Sequence, residues 1–161
     1  MKFVSRDGAI FELAVDSYQF PAREGAVFGR DADSNWLNVR GNLSLPDGRS
    51  SNFRDPCLTT WDARELADWL RSVSCGHAPS LSSNDGPGLV FDEPCLAFDA
   101  EQLEGDTAVL RVYLSLEAEP AFVVEGAHGM FENYVQLTMS LAELGRAAAE
   151  WDAEIKAYPV R

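Results

Sequence analysis

Histidine, cysteine and basic side chains are all scarce in this chain, and each scarcity closes a route to function. The two histidines, His77 and His128, fall in breaker-rich stretches, with no partner four residues away on a helix and no adjacent nucleophile motif. Exposed loop histidines are the expectation. Cys57, Cys75 and Cys95 are an odd number without a C-x-x-C pair, in a chain longer than disulfide scaffolds usually run, so reduced thiols are expected. A zinc site of three sulfurs and His77 has the right ligand types, but Cys57 and Cys95 sit in apolar runs, and neither a metal nor another cofactor is expected. No glycine pattern of the phosphate-cradling or dinucleotide-binding kind is present, which removes support for nucleotide chemistry. The chain does not read as an enzyme.

Long apolar runs are missing as well. Nothing near Met1 has signal-peptide length and no segment is long enough to span a bilayer, so a cytoplasmic protein is expected. Only 13 basic residues stand against 26 acidic ones, a formal net charge of −13. Such a balance argues against nucleic acid or an anionic membrane surface as partner, because neither can release counterions to an acidic protein. A basic protein partner suits it better. Acidity that serves only solubility is the plainer alternative.

What the chain does have is pattern. With 161 residues, 46% of them apolar, it can fill a core without staples, and one domain over residues 1–161 is expected. Phe11, Leu13 and Val15 alternate with polar neighbours, as do Leu37, Val39, Leu43 and Leu45, where Gly41 fills the one gap and marks a bulge or close contact. Pro46-Asp47-Gly48-Arg49 turns the chain back through Ser51 and Phe53. Residues 22–35 read as a surface loop and residues 77–88 as a short connection. Leu89 to Phe91 and Leu96 to Phe98 flank Pro94 as a bent edge, and a turn at Glu104-Gly105-Asp106 leads into the strongest strand, Ala108 to Leu116. Short strands follow at Phe122-Val123-Val124 and at Tyr134 to Met139.

Two amphipathic helices are expected, near residues 60–74 and 140–156. In the first, Asp62 and Glu65 have capping-box spacing, Trp61 and Leu66 the spacing of a hydrophobic staple, and Thr60 competes as the cap. In the second, Ser140 and Glu143 form the box and Met139 and Leu144 the staple. Each carries a tryptophan, Trp69 or Trp151, on its apolar face, where burial is the simplest reading. About eight strands joined mainly by hairpin turns, with two helices, define an α+β domain on mainly antiparallel sheet. The segments Pro56-Cys57-Leu58 and Pro94-Cys95-Leu96 look alike, but their flanks do not sustain a repeat.

Carboxylates concentrate around the expected strands from Leu89 to Val124. Asp92, Glu93, Asp99, Glu101, Glu117, Glu119 and Glu125 lie near expected strand ends, where they could form one negative patch that steers a basic partner. Turns are also simply where charges go. A small-molecule site or enzyme built on the loop from Asp31 to Trp36 with His128 is the rival reading, and an acidic structural or adaptor protein is the third.

Five spaced signatures together resemble the WapI-type immunity proteins, antidotes to wall-associated contact-dependent bacterial toxins. They are Tyr18-Gln19-Phe20-Pro21, Asp33-Ser34-Asn35-Trp36-Leu37-Asn38-Val39, Pro56-Cys57-Leu58-Thr59-Thr60 leading into Glu65-Leu66 and Trp69-Leu70, Phe91 to Phe98, and Tyr158-Pro159-Val160-Arg161. The resemblance implies an intracellular protein that binds a cognate toxin, typically a nuclease, and blocks its active surface. The seven carboxylates above are then the expected contact residues, and a basic toxin surface the expected partner.

Overall fold

The computed structural model describes residues 1–21, 33–77, 86–103, 105–122 and 130–161. The chain builds two four-stranded antiparallel sheets, each strand pairing with the next in sequence. The first runs β1 (Lys2–Val4), β2 (Ile10–Tyr18), β3 (Trp36–Ser44) and β4 (Ser50–Thr59), and passes directly into helix α1 (Thr60–Ser74). The second runs β5 (Leu89–Val90), β6 (Leu96–Gln102), β7 (Thr107–Leu114) and β8 (Tyr134–Ser140), and passes directly into α2 (Leu141–Ile155). The architecture is α+β, as the strand and helix periodicities imply. Each half is a meander closed by a helix, a likeness of architecture that the two sequences do not display.

Alternation explains the sheets. Phe11, Leu13 and Val15 of β2, Leu37, Val39 and Leu43 of β3, and Leu110, Val112, Leu137 and Met139 of β7 and β8 all point into one contiguous core. Bulges fall between Val15 and Ser17 and between Leu37 and Val39, while Gly41 is paired in register with Phe53. Gly41 therefore marks the close contact, not a bulge. A Cβ at that position would sit 2.0 Å from Phe53 Cε1, so the ring lies across the bare backbone.

Three strand assignments change, the first being that β7, expected to reach Leu116, ends at Leu114, with Leu116 exposed in a short 3-10 turn. β1 is too short for a two-residue period to register, yet Phe3 is buried and stacks on Phe11 with ring centroids 6.5 Å apart. Phe122, expected to begin a strand, lies in a turn, and Val123 and Val124 fall outside the described residues. The loop at 22–32, the connection at 78–85 and Glu104 of the expected turn are also outside them.

The first helix begins earlier than its expected cap. Thr59, the last residue of β4, is the N-cap: its hydroxyl accepts from Asp62 N–H at 3.2 Å, and the Asp62 carboxylate accepts from Thr59 N–H at 2.8 Å. Asp62 is thus the last residue of the box and not its first, because extended backbone persists through Thr59. The flanking pair becomes Leu58 and Ala63, both buried, whereas Trp61 is 41% exposed. For α2 the reading from spacing stands: Ser140 caps, Glu143 completes the box, and Met139 and Leu144 are buried beside it.

The tryptophans differ. Trp151 is fully buried, and its Nε1 donates to the Ala63 carbonyl of α1 at 2.8 Å, which clasps the helices together. Trp69 is only half-buried beside Phe98, with no partner for its Nε1 among the described residues. Cys57 of β4 and Cys95 before β6 meet sulfur to sulfur across the seam between the halves, Cα atoms 6.1 Å apart, a separation a disulfide spans. A facing pair and one free, exposed thiol at Cys75 thus replace three separate reduced thiols. The sequence separation of 38 residues hides the pairing from any spacing rule.

Candidate functional site

An open groove of about 360 Å³ lies where the start of β8 faces the turn side of the first sheet. Leu43, Leu45 and Phe122 supply its apolar wall, and Tyr134 and Gln136 of β8 the opposite one. Asp7 and Glu132 bring negative charge to its rim. Hydrogen bonds from the Ser5 side chain and the Ala9 N–H hold the Asp7 carboxyl below its ordinary range, so it is ionised at neutral pH. Arg49 also lines the groove, but its guanidinium is paired with Asp47 at 2.7 Å and lies over the Phe122 ring, 5.0 Å from the centroid. Its charge is already answered.

Strain gathers beside this groove. Leu116 and Phe131 have φ of 52° and 66°, and among the described residues no other non-glycine residue has positive φ. Bulky side chains pay for that conformation, and such outliers cluster at functional surfaces. The two are tied together through Ser115, whose hydroxyl accepts from the Phe131 N–H at 3.2 Å. Leu116, Met130 and Tyr134 are each more than half exposed, a concentration of large apolar surface at one end of the second sheet. Tyr113 underlies it, with ring centroids 6.1 Å from Phe131 and 5.3 Å from Tyr134.

Among the described residues the expected carboxylates fall into two groups. Register places Leu96 opposite Leu114, and Ser115 N–H donates to the Cys95 carbonyl, so Asp92 and Glu93 approach the same sheet end as Glu117 and Glu119. Asp92 and Glu117 are exposed there, and Glu119 accepts from Asn133 Nδ2 at 2.9 Å. Asp55 of β4 belongs to this end as well: burial first, and then the charge of Glu117, raise its carboxyl above the ordinary range. Asp99 stands apart. It is 2% exposed and paired with Arg111 at 3.2 Å, and Arg111 also reaches Glu101 at 3.4 Å. Burial raises the Asp99 carboxyl in spite of the Ala100 N–H and Arg111 beside it. Glu125 lies outside the described residues, as do Asp31 and His128 of the rival reading. Among the described residues no group of three or more His, Cys, Asp or Glu could hold a metal, and no helix is long and apolar enough to cross a membrane.

Four of the signatures meet elsewhere, around the start of α1 and the last residues of the chain. Asn35 is fully buried: its side-chain oxygen accepts from the Thr60 hydroxyl at 2.9 Å and from Arg161 N–H at 2.9 Å, and its Nδ2 donates to the Arg161 carbonyl at 3.1 Å. Arg161 lies over the Tyr18 ring, 3.3 Å from its centroid, and Tyr18 donates its hydroxyl to the Pro159 carbonyl. These residues hold the chain's last segment against the first sheet, a structural clasp.

The groove's signal in the sequence was faint. Alternation places Tyr134 on the outer face of β8, but nothing local marks Leu116, Met130 and Phe131 as its neighbours. Their proximity comes from the β7–β8 register.

An acidic α+β protein with an open, partly apolar groove is the class that fold and site define. Comparison with curated proteins finds no match. The family model described as the immunity protein WapI-like family matches residues 2–159, almost the whole chain, and the protein belongs to that family.

Proposed function

We propose that this protein is an antidote that binds and neutralises a cognate nuclease toxin and is not itself an enzyme. Membership of the immunity family across residues 2–159 carries the reading. The formal net charge of −13 supports the nuclease part, since a nuclease presents a basic surface to its substrate. An acidic antidote gains a fast encounter with that surface and competes with nucleic acid for it. We place the contact at the sheet end carrying Asp92, Glu93, Glu117 and Glu119, beside the strained Leu116 and Phe131. Asp99 and Glu101 serve the fold there, through Arg111, more than the partner.

Co-expression with the toxin domain encoded beside this protein tests the reading. Survival of cells that carry both, and death of cells that carry the toxin alone, is expected. Continued death with soluble antidote present refutes it. Degradation of nucleic acid in the toxin-only cells separates a nuclease from other toxins.

A further inference from the structure

Strand β8 borders the groove with an edge that is half used. Arg6 N–H donates to the Thr138 carbonyl at 2.8 Å, and Thr138 N–H donates to the Ser5 hydroxyl at 2.9 Å. Both main-chain groups of Thr138 therefore face away from β7. At the other end of the strand, Leu114 N–H donates to the Asn133 carbonyl at 2.9 Å, so Asn133 faces toward β7. Between them the β7–β8 register runs without a shift from Tyr113 opposite Tyr134 to Thr107 opposite Ser140. In an antiparallel ladder, residues two apart direct their main-chain groups to the same side. Gln136 and Tyr134 therefore point their N–H and C=O groups the same way as Thr138, into the groove. Among the described residues nothing pairs with them there. The chain's own residues Ser5 and Arg6 occupy the edge at Thr138 and go no further.

We infer that this open edge, Tyr134 to Gln136, receives an extended, basic segment of the toxin as an added strand; the inference rests on the antidote reading above. The backbone groups supply pairing that is independent of sequence, as in other strand-addition complexes. The groove walls Leu43, Leu45 and Phe122 take apolar stems of the incoming side chains. The charge selects the occupant: Asp7 rims the groove of a chain with a formal net charge of −13, while Arg49 is held by Asp47 and turned onto Phe122, so a Lys or Arg meets negative potential and an acidic segment is repelled. Lysine and arginine stems also suit a wall that is partly apolar and partly charged. An edge left bare invites indiscriminate pairing, and the short free length, closed off at Thr138, limits that hazard.

Two measurements on the full-length chain with a catalytically inactivated toxin domain test this. The first is amide exchange by NMR on the unmodified protein, free and bound. Slowing of the Gln136 amide by about tenfold or more in the complex is expected. The second is calorimetric binding of Gln136→Pro, which deletes the outward donor at a position where an edge strand accepts proline. Affinity about tenfold or more below that of Gln136→Ala is expected, with thermal unfolding confirming that both variants are folded. Unchanged Gln136 exchange in a formed complex, or equal affinity of the two variants, overturns the added strand and leaves the antidote reading standing. If Gln136→Pro does not fold, the exchange measurement decides alone. Failure of the unmodified protein to bind the toxin removes the antidote reading, and this inference with it.

Discussion

Replacing Gly41 with alanine should destabilise the protein, although alanine is ordinarily the better residue in a strand. The new Cβ would lie 2.0, 2.4 and 2.8 Å from Cε1, Cζ and Cδ1 of Phe53. Carbon atoms in contact rest about 3.5–4.0 Å apart, so the ring edge must retreat by roughly 1.5–2 Å. Phe53 packs against the core, and moving it exposes apolar surface or forces an unfavourable rotamer, at about 2 kcal/mol. Against this, removing a strand glycine recovers about 0.5–1 kcal/mol of backbone entropy. The expected net loss is about 1–1.5 kcal/mol, or about 2–6 °C in Tm for a chain of this size. Urea denaturation followed by tryptophan fluorescence measures it. The sharper test is the same substitution in a Phe53→Ala background: without the ring, Gly41→Ala should become stabilising by about 0.5–1 kcal/mol. If Gly41→Ala stabilises the intact chain, or costs the same in both backgrounds, the ring over the glycine is not what keeps this position bare.

Two further predictions concern buried polar groups. Asp99 has a folded-state carboxyl pKa raised above its ordinary value of 3.8, so the native state holds its proton more tightly than the unfolded chain does. Stability should therefore fall as pH rises from about 4 through the folded-state value, and Asp99→Asn should flatten that limb in denaturation at stepped pH. An unchanged pH dependence in that variant would show that the limb arises elsewhere. Trp151→Phe removes the Nε1 bond to the Ala63 carbonyl together with part of a fully buried ring. A loss of about 1.5–3 kcal/mol is expected, and a loss below about 0.5 kcal/mol would show that the helices do not depend on the clasp.

The sequence carried more of the fold than of the site. Residues with a local signature were legible: the Ser140 and Glu143 box, the alternation through β2, β3 and β8, and the stripe of Leu144, Ala148 and Trp151 on α2. Where two local signals overlapped, the choice between them depended on the end of an extended segment, and so the first helix is capped by Thr59 and not Asp62. Strand β1 escaped because three residues are too few for a period. Residues joined only by tertiary register were not legible. Asp99 reads as a strand-end charge but lies beneath Arg111, and Leu116, Phe131 and Tyr134 become neighbours only once β7 and β8 pair. Charge composition pointed toward a basic partner without saying which carboxylates are free to meet one.

Each half of the chain is a meander in which every strand pairs with its sequence neighbour and then runs straight into a helix. Such pairings join strands consecutive in sequence, which keeps contact order below that of a sheet built with crossover connections. The long-range cost is deferred to the seam, where α1 meets α2 through Trp151 and Ala63, and Cys57 meets Cys95. For a family concerned with immunity, speed of maturation matters as much as final affinity. Under the antidote reading, protection begins only when the chain becomes native, and consecutive pairing lets each sheet form before the two halves have met.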